Sequence, residues 1–296
     1  MANVLLANIH NRIKEQAKVK NTPKWVRDPK SYIQNNLYIR TKRKTVELLK
    51  FNPIQERFWE SKTKKDIILK PRQLGFSTLT LARFFECVIN EENVTAVVIA
   101  HDAESTQKLF KTVQLMYERL PESKKEQLNN GKKRPKYGNR KEYYFTGNNS
   151  TIYVGTAGAD KFGRGQTINY VLCSEVAFWD KPEDIMMGLL EAVPADGEIV
   201  IESTANGVGT YYYDTYFEAK RGDANTEWTS HFYAWYEHPE YKTPLHPGEV
   251  LTYDAEEQEL VDKYGVTPEQ IKWRRRKIAS MPKKADRSKE DSFRQE

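Results

Sequence analysis

Cysteine is scarce in this sequence: Cys87 and Cys173 are the two copies among 296 residues, each inside an apolar segment far from the other. Two isolated thiols make neither a disulfide framework nor a zinc site, and a reducing cytosol is the simplest compartment for them. Long apolar runs are missing too, and a mean hydropathy of −0.77 leaves no stretch that could cross a bilayer as a helix. The first 25 residues mix polar and apolar side chains without a continuous hydrophobic block, so no secretory leader is expected. Repeats and low-complexity tracts are likewise absent, which removes solenoids and compositionally disordered classes.

What is present suits a packed enzyme-sized domain. A hydrophobic fraction of 39% with 12% aromatics supplies a substantial core for one large α/β domain or two small ones. Forty-seven basic against 41 acidic residues give +6 overall and a pI near 9.0, but the charge is unevenly spread. Residues 1–70 hold 17 Lys/Arg against 6 Asp/Glu, a local balance of +11. Lys124, Lys125, Lys132, Lys133, Arg134, Lys136, Arg140 and Lys141 form a second cluster, and Trp273-Arg274-Arg275-Arg276-Lys277 opens a third. Any one of these could be a solvated face. Three of them flanking one strand–loop–helix segment, residues 69–78, favour a polyanionic partner such as nucleic acid.

Residues 1–50 read as short basic helices interrupted by Pro23 and Pro29, an N-terminal arm or part of a lid. From residue 51 to 238 the texture changes to short apolar strands alternating with amphipathic helices. Strands are expected at 66–69, 94–100, 170–173, 198–201 and 230–236, with helices at 78–89, 103–120, 183–193 and 211–220. Residues 142–145 and 151–154 flank T-G-N-N-S, a hairpin signature. This order predicts an α/β fold with a mostly parallel central sheet flanked by helices. Pro239, Pro244 and Pro247 mark a boundary, after which 255–264 and 268–279 read as two helices of a small C-terminal lid part spanning 239–282. Residues 283–296 read as a charged linker.

Four segments could carry chemistry. Leu69-Lys70-Pro71-Arg72-Gln73-Leu74-Gly75-Phe76-Ser77-Thr78 follows a strand and opens a helix, the setting in which backbone N–H groups converge on a phosphate. Against G-x-x-x-x-G-K-[ST], the Walker A pattern, it keeps Gly75 and Ser77 but has Phe76 where the Lys belongs. The phosphate charge must then be met by Lys70 or Arg72. Tyr170 to Glu175 is an apolar strand ending in Ser-Glu, which fits a Walker B site with Glu175 as general base. Ser174 stands where an Asp would help hold Mg2+, so its hold on a metal is weak; Ser77 is the other metal-side residue. Ser203, Thr204 and Asn206 end a further strand and could sense the γ-phosphate, and Gly163-Arg164-Gly165 presents a flexible cation suited to a transition-state finger. An ordinary turn, a solvated Glu or a surface Arg would account for each of these alone.

Taken in order, Gln55 within F-N-P-I-Q, the K-P-R-Q-L-G-F-S-T loop, R-G before C-S-E-V-A-F-W, and E-S-T-A-N-G resemble the ATPase domain of tailed-phage terminase large subunits over residues 45–240. The resemblance implies a P-loop NTPase fold of the ASCE type with a small helical lid, ATP and Mg2+ as cofactors, and DNA-dependent ATP hydrolysis that drives double-stranded DNA into a procapsid. It implies adenine recognition by Gln55, phosphate and metal contacts along Lys70, Arg72, Gln73, Leu74, Gly75, Phe76, Ser77 and Thr78, and catalysis by Glu175. Arg164 would reach a neighbouring subunit's ATP, and Ser203, Thr204 and Asn206 would form the coupling motif. Implied partners are the portal protein, the small terminase subunit and further copies in a ring, a pentamer in the family, in the host cytoplasm. Family members continue into a nuclease domain that this sequence does not contain, so no cleavage is expected of it. The competing readings are a helicase-like translocase and a nonhydrolysing nucleotide- or DNA-binding scaffold.

Overall fold

The computed structural model describes residues 28–132, 134–135, 141–160, 162, 165, 167–281 and 288–295. In chain order the described elements are α1 (Pro29–Asn36), β1 (Tyr38–Arg40), β2 (Val46–Leu48), α2 (Pro53–Ser61), β3 (Lys65–Leu69), α3 (Phe76–Asn90), β4 (Thr95–Ala100), α4 (Ala103–Glu118) and α5 (Glu122–Leu128). There follow β5 (Glu142–Phe145), β6 (Ser150–Thr156), β7 (Tyr170–Ser174), α6 (Pro182–Ala192), β8 (Glu198–Ser203), α7 (Tyr211–Arg221), β9 (Thr229–Phe232), α8 (Ala255–Tyr264), α9 (Pro268–Ser280) and α10 (Lys289–Gln295).

The runs Asp66-Ile67-Ile68, Ala96-Val97-Val98-Ile99-Ala100, Val171-Leu172-Cys173 and Ile199-Val200-Ile201 are buried almost without interruption, as strands covered on both faces must be. They build one seven-stranded sheet in the order β5-β6-β4-β7-β8-β3-β9. Every neighbouring pair in it is parallel except the β5–β6 hairpin. One face is packed by α3 and α4 through Phe84, Phe85, Val113 and Met116. The other is packed by α6 and α7 through Met186, Leu189, Tyr212 and Tyr216. Strand order decides where chemistry can happen. In an open parallel sheet ligands sit beyond the carboxyl ends of the strands, and here β8 lies between β3 and β7, whose ends carry the two Walker-type segments.

Several expected boundaries shift for physical reasons. The helix expected from Thr78 begins at Phe76, because Gly75 takes a left-handed φ of 80° and turns the chain straight into α3. The last core strand ends at Phe232 rather than residue 236: Tyr233 N–H still bonds Leu69 O, and residues 235–237 then wind into a 3₁₀ turn. Residues 28–50 are not all helical. After α1, β1 and β2 pair antiparallel, and Ile33, Leu37 and Leu49 join the main core, so this part of the expected arm is integral to the domain.

The basic loop after residue 120 contains α5, and α2 precedes β3. α2 starts at N-P-I-Q, where Asn52 and Gln55 form a capping box with Pro53 at the first helical position. The charged tail read as a linker contains α10, whose Phe293 is buried against Trp235 and Trp273. The third basic cluster is also partly structural. Arg274 is buried and paired with Glu256 and Glu290, and Arg275 with Glu257.

Candidate functional site

The loop from Lys70 to Gly75 is shaped by its neighbours. Asn52 Nδ2 donates to Leu74 O at 3.3 Å, Gln55 Nε2 to Gly75 O at 2.9 Å, and Tyr241 OH to Arg72 O at 2.6 Å. Three carbonyls are thus held from outside the loop, and α3 starts with no side-chain cap, leaving its first N–H groups to be met by an anion. Gly75 is required by its φ of +80°, and a Cβ there would press on the Gln55 amide at 2.8 Å. Asn52 caps α2 and braces the loop together, so Asn52→Ala should lower stability by about 1 kcal/mol. It should also weaken nucleotide binding, and urea unfolding with a nucleotide titration checks both.

Phe76 fills no part of the charge role left by the missing Walker lysine. Its side chain is in the core, edge-on to Phe58 at 5.5 Å and against Tyr233 at 4.8 Å, so only its backbone can face the loop. Leu74 is buried in the same core. Arg72 and Gln73 are exposed on the loop, while Ser77 and Thr78 are half-buried at the start of α3.

Lys70 is the cation turned into the fold. Its Nζ lies 2.9 Å from Glu175 Oε1 and 3.0 Å from Glu202 Oε2, and its side chain is 5% exposed. Burial would push the ammonium down, but the two carboxylates outweigh it and raise it to about 12, so Lys70 is charged at neutral pH. Burial pushes the Glu175 carboxyl up. Lys70, a Thr204 N–H and Arg72 more than offset this and hold its carboxyl below the ordinary value.

Glu175 stands at the end of β7 with a left-handed φ of 56°, a strained conformation for a glutamate and of the kind concentrated at functional sites. Its Oε2 accepts from Thr204 N at 3.1 Å and lies 3.4 Å from both Ser203 Oγ and Thr204 Oγ1. Ser203 Oγ also accepts from Ala177 N, and Asn206 Nδ2 donates to Ala177 O at 2.8 Å. The three residues read as a coupling motif are therefore bonded to Glu175 and to the turn that follows it. Arg164 and the glycine before it lie outside the described residues.

Sequence reasoning passed over Glu202 and His101. Glu202 is fully buried at the end of β8 and accepts from Ser77 Oγ at 2.5 Å and Ser174 Oγ at 2.7 Å. Its signal was present: a lone carboxylate closing an apolar strand run. His101, just past β4, lines a cavity of about 280 Å3 with Arg72, Ser77, Lys108, Ser174, Glu175 and Phe178. A second cavity of about 660 Å3 lies along the loop's other side and is walled by Tyr233, Trp235, Tyr241 and Trp273.

No group of three or more His, Cys, Asp or Glu able to hold a metal occurs among the described residues. A nucleotide-bound Mg2+ needs no such cage. It keeps several waters, takes phosphate oxygens and adds one or two protein oxygens. Ser77, Ser174 and Glu202 are hard oxygen donors gathered at one point, and they fit that requirement.

No family model matches this sequence, and no curated protein does. Solved structures do match in fold. The large terminase of bacteriophage HK97 aligns with a TM-score of 0.61 at 14% identity, over 90% of this chain and 53% of that one. The chain thus spans about half the length of that protein. The ATPase domain of the large terminase from Thermus phage P74-26 aligns with a TM-score of 0.56 at 17% identity, over 83% of this chain and 92% of that domain. The chain carries the α/β fold of these ATPase domains, with a mostly parallel sheet flanked by helices. Among the described residues no helix is long and apolar enough to cross a membrane.

Proposed function

We propose that this chain is the ATP-hydrolysing motor domain of a phage large terminase, which moves double-stranded DNA into a procapsid. One observation carries the reading. At the carboxyl ends of three adjacent strands, Glu175 is held between Lys70 of the phosphate-type loop and Ser203 and Thr204 of the third motif. An ordinary strand–turn–helix has no reason to bury a lysine against two carboxylates at that place.

In this reading the loop N–H groups and Lys70 take the phosphates, with Arg72 able to add a bidentate contact from the exposed side. Ser77 and the oxygens beside it would hold Mg2+, which supplies charge neutralisation on the phosphates when bound. Glu175 orients and deprotonates the attacking water. Ser203, Thr204 and Asn206 feel the change at Glu175 and pass it to the turn after β7 and to α7 beyond. Gln55 acts first by fixing Gly75; one amide N–H and one oxygen lone pair remain to it for an adenine edge. Arg164 would serve a neighbouring subunit in a ring of copies, a pentamer as in the family, seated on a portal and fed by a small subunit in the host cytoplasm.

DNA contact is assigned to basic surface outside the paired third cluster. The β1–β2 turn, with Arg43 and Lys44 exposed, is one such surface. Phosphate release measured with Mg2+, with and without double-stranded DNA, tests the whole. Release that rises with DNA is expected. No release under either condition would favour the nonhydrolysing scaffold instead, and strand separation would favour a helicase-like translocase.

A further inference from the structure

We propose that the metal-side carboxylate of this site has moved one strand over: Glu202 on β8, not residue 174 on β7, supplies the negative charge that holds a nucleotide-bound divalent cation. The inference rests on the nucleotide reading above. In P-loop enzymes the metal is held by the loop Ser/Thr together with an Asp at the end of the Walker B strand. Here the loop hydroxyl is Ser77, but the Walker B position is Ser174, a neutral group. A site lacking that carboxylate would have to balance Mg2+ with phosphates alone.

The register of the sheet provides the replacement. β7 and β8 are parallel neighbours, and Ser174 pairs directly with Glu202, so the two side chains rise from the same level of the same sheet face. Glu202 Oε1 receives both Ser77 Oγ at 2.5 Å and Ser174 Oγ at 2.7 Å. The carboxylate therefore engages the loop serine, the group a Walker B Asp has to work with, and the serine in the Asp position has become its donor. Lys70 contacts both carboxylates, at 2.9 Å from Glu175 and 3.0 Å from Glu202, and a triphosphate that draws it away would leave Glu202 to balance a divalent ion. A fully buried glutamate serving only to neutralise Lys70 would be redundant, because Glu175 already pairs with it. Serine at 174 and glutamate at 202 thus place the acid on β8, level with the β7 position where a P-loop metal site has it.

The acid can be moved to β7 by mutation. Mn2+ is titrated into the protein with a nonhydrolysable ATP analogue and free ion is followed by electron paramagnetic resonance, while a fluorescent ATP analogue is bound in EDTA as the metal-free arm. Glu202→Gln should weaken Mn2+ binding about 10- to 100-fold and leave metal-free nucleotide binding nearly unchanged. The double variant Ser174→Asp/Glu202→Ser, which returns the acid to β7, should recover most of that loss. If Glu202→Gln melts early, the double variant decides, because it keeps a carboxylate within the cluster. Full Mn2+ affinity in folded Glu202→Gln, or no recovery in a folded double variant, overturns the proposal. Wild-type protein that binds no nucleotide in either arm would instead overturn the ATP-site reading on which it rests.

Discussion

Glu175→Gln is expected to lower the steady-state rate of ATP hydrolysis about 100- to 10,000-fold, the range a positioned general base contributes. Nucleotide affinity should change little. The substitution preserves size, and the amide oxygen can still accept from Thr204 N–H, so the turn after β7 keeps its bonds. What is lost is the ability to take a proton from water. The resting structure adds a detail about timing. Lys70 holds the Glu175 carboxyl below its ordinary value, which makes it a poor base. A triphosphate that draws Lys70 away would remove that restraint, and burial alone pushes a carboxylate up. Basicity would then rise when substrate is present. Turnover unchanged in Glu175→Gln, measured by phosphate release, would remove Glu175 from the role.

Lys70→Met should produce the largest loss of stability at this site, about 3–5 kcal/mol, because it leaves fully buried Glu202 and half-buried Glu175 without the ammonium that contacts both. Arg72→Ala, at an exposed position on the same loop, should stay within about 0.5 kcal/mol. The signs with pH follow from the shifts. In the wild type, Lys70 is raised to about 12, so its contribution is complete below its ordinary value and disappears as pH climbs through 12. Glu175 is lowered, so its contribution is complete above the ordinary carboxylate value and disappears as acid protonates it. Without Lys70 burial favours the neutral form of Glu175, and the deficit of Lys70→Met should shrink as pH falls from 7 toward 5. Urea unfolding at the two pH values reads this directly. A deficit independent of pH would mean that Lys70 contributes packing, not charge.

The sheet and the motif order were legible because both are written locally. Runs such as Val94 to Ala100 and Tyr170 to Cys173 can only be strands buried on both faces, and Lys70 to Thr78 sits between a strand and a helix. Burial of partners was not legible. Phe76 looked like a gap in the phosphate loop, yet it is a core residue whose place is set by Phe58 and Tyr233, far away in sequence. Which of Lys70 and Arg72 turns inward was likewise not legible, because the carboxylates that draw Lys70 in, Glu175 and Glu202, are distant in sequence. Glu202 was visible as a carboxylate closing an apolar run, but its role was not, because that depends on lying level with Ser174, a register that only the assembled sheet defines. The basic run at Arg274 and Arg275 misled for the same reason, since its acidic partners come from other helices.

The central claim is that the bend from Leu69 to Thr78 encloses a triphosphate although its usual lysine is replaced by Phe76. Crystals of the protein grown with a nonhydrolysable ATP analogue and Mg2+ test it most directly. The account predicts phosphate density inside the bend, with Lys70 Nζ moved from Glu175 onto a phosphate oxygen and Phe76 still packed on Phe58. An empty bend with the Lys70–Glu175–Glu202 contacts intact, at analogue concentrations that saturate known P-loop ATPases, would contradict it.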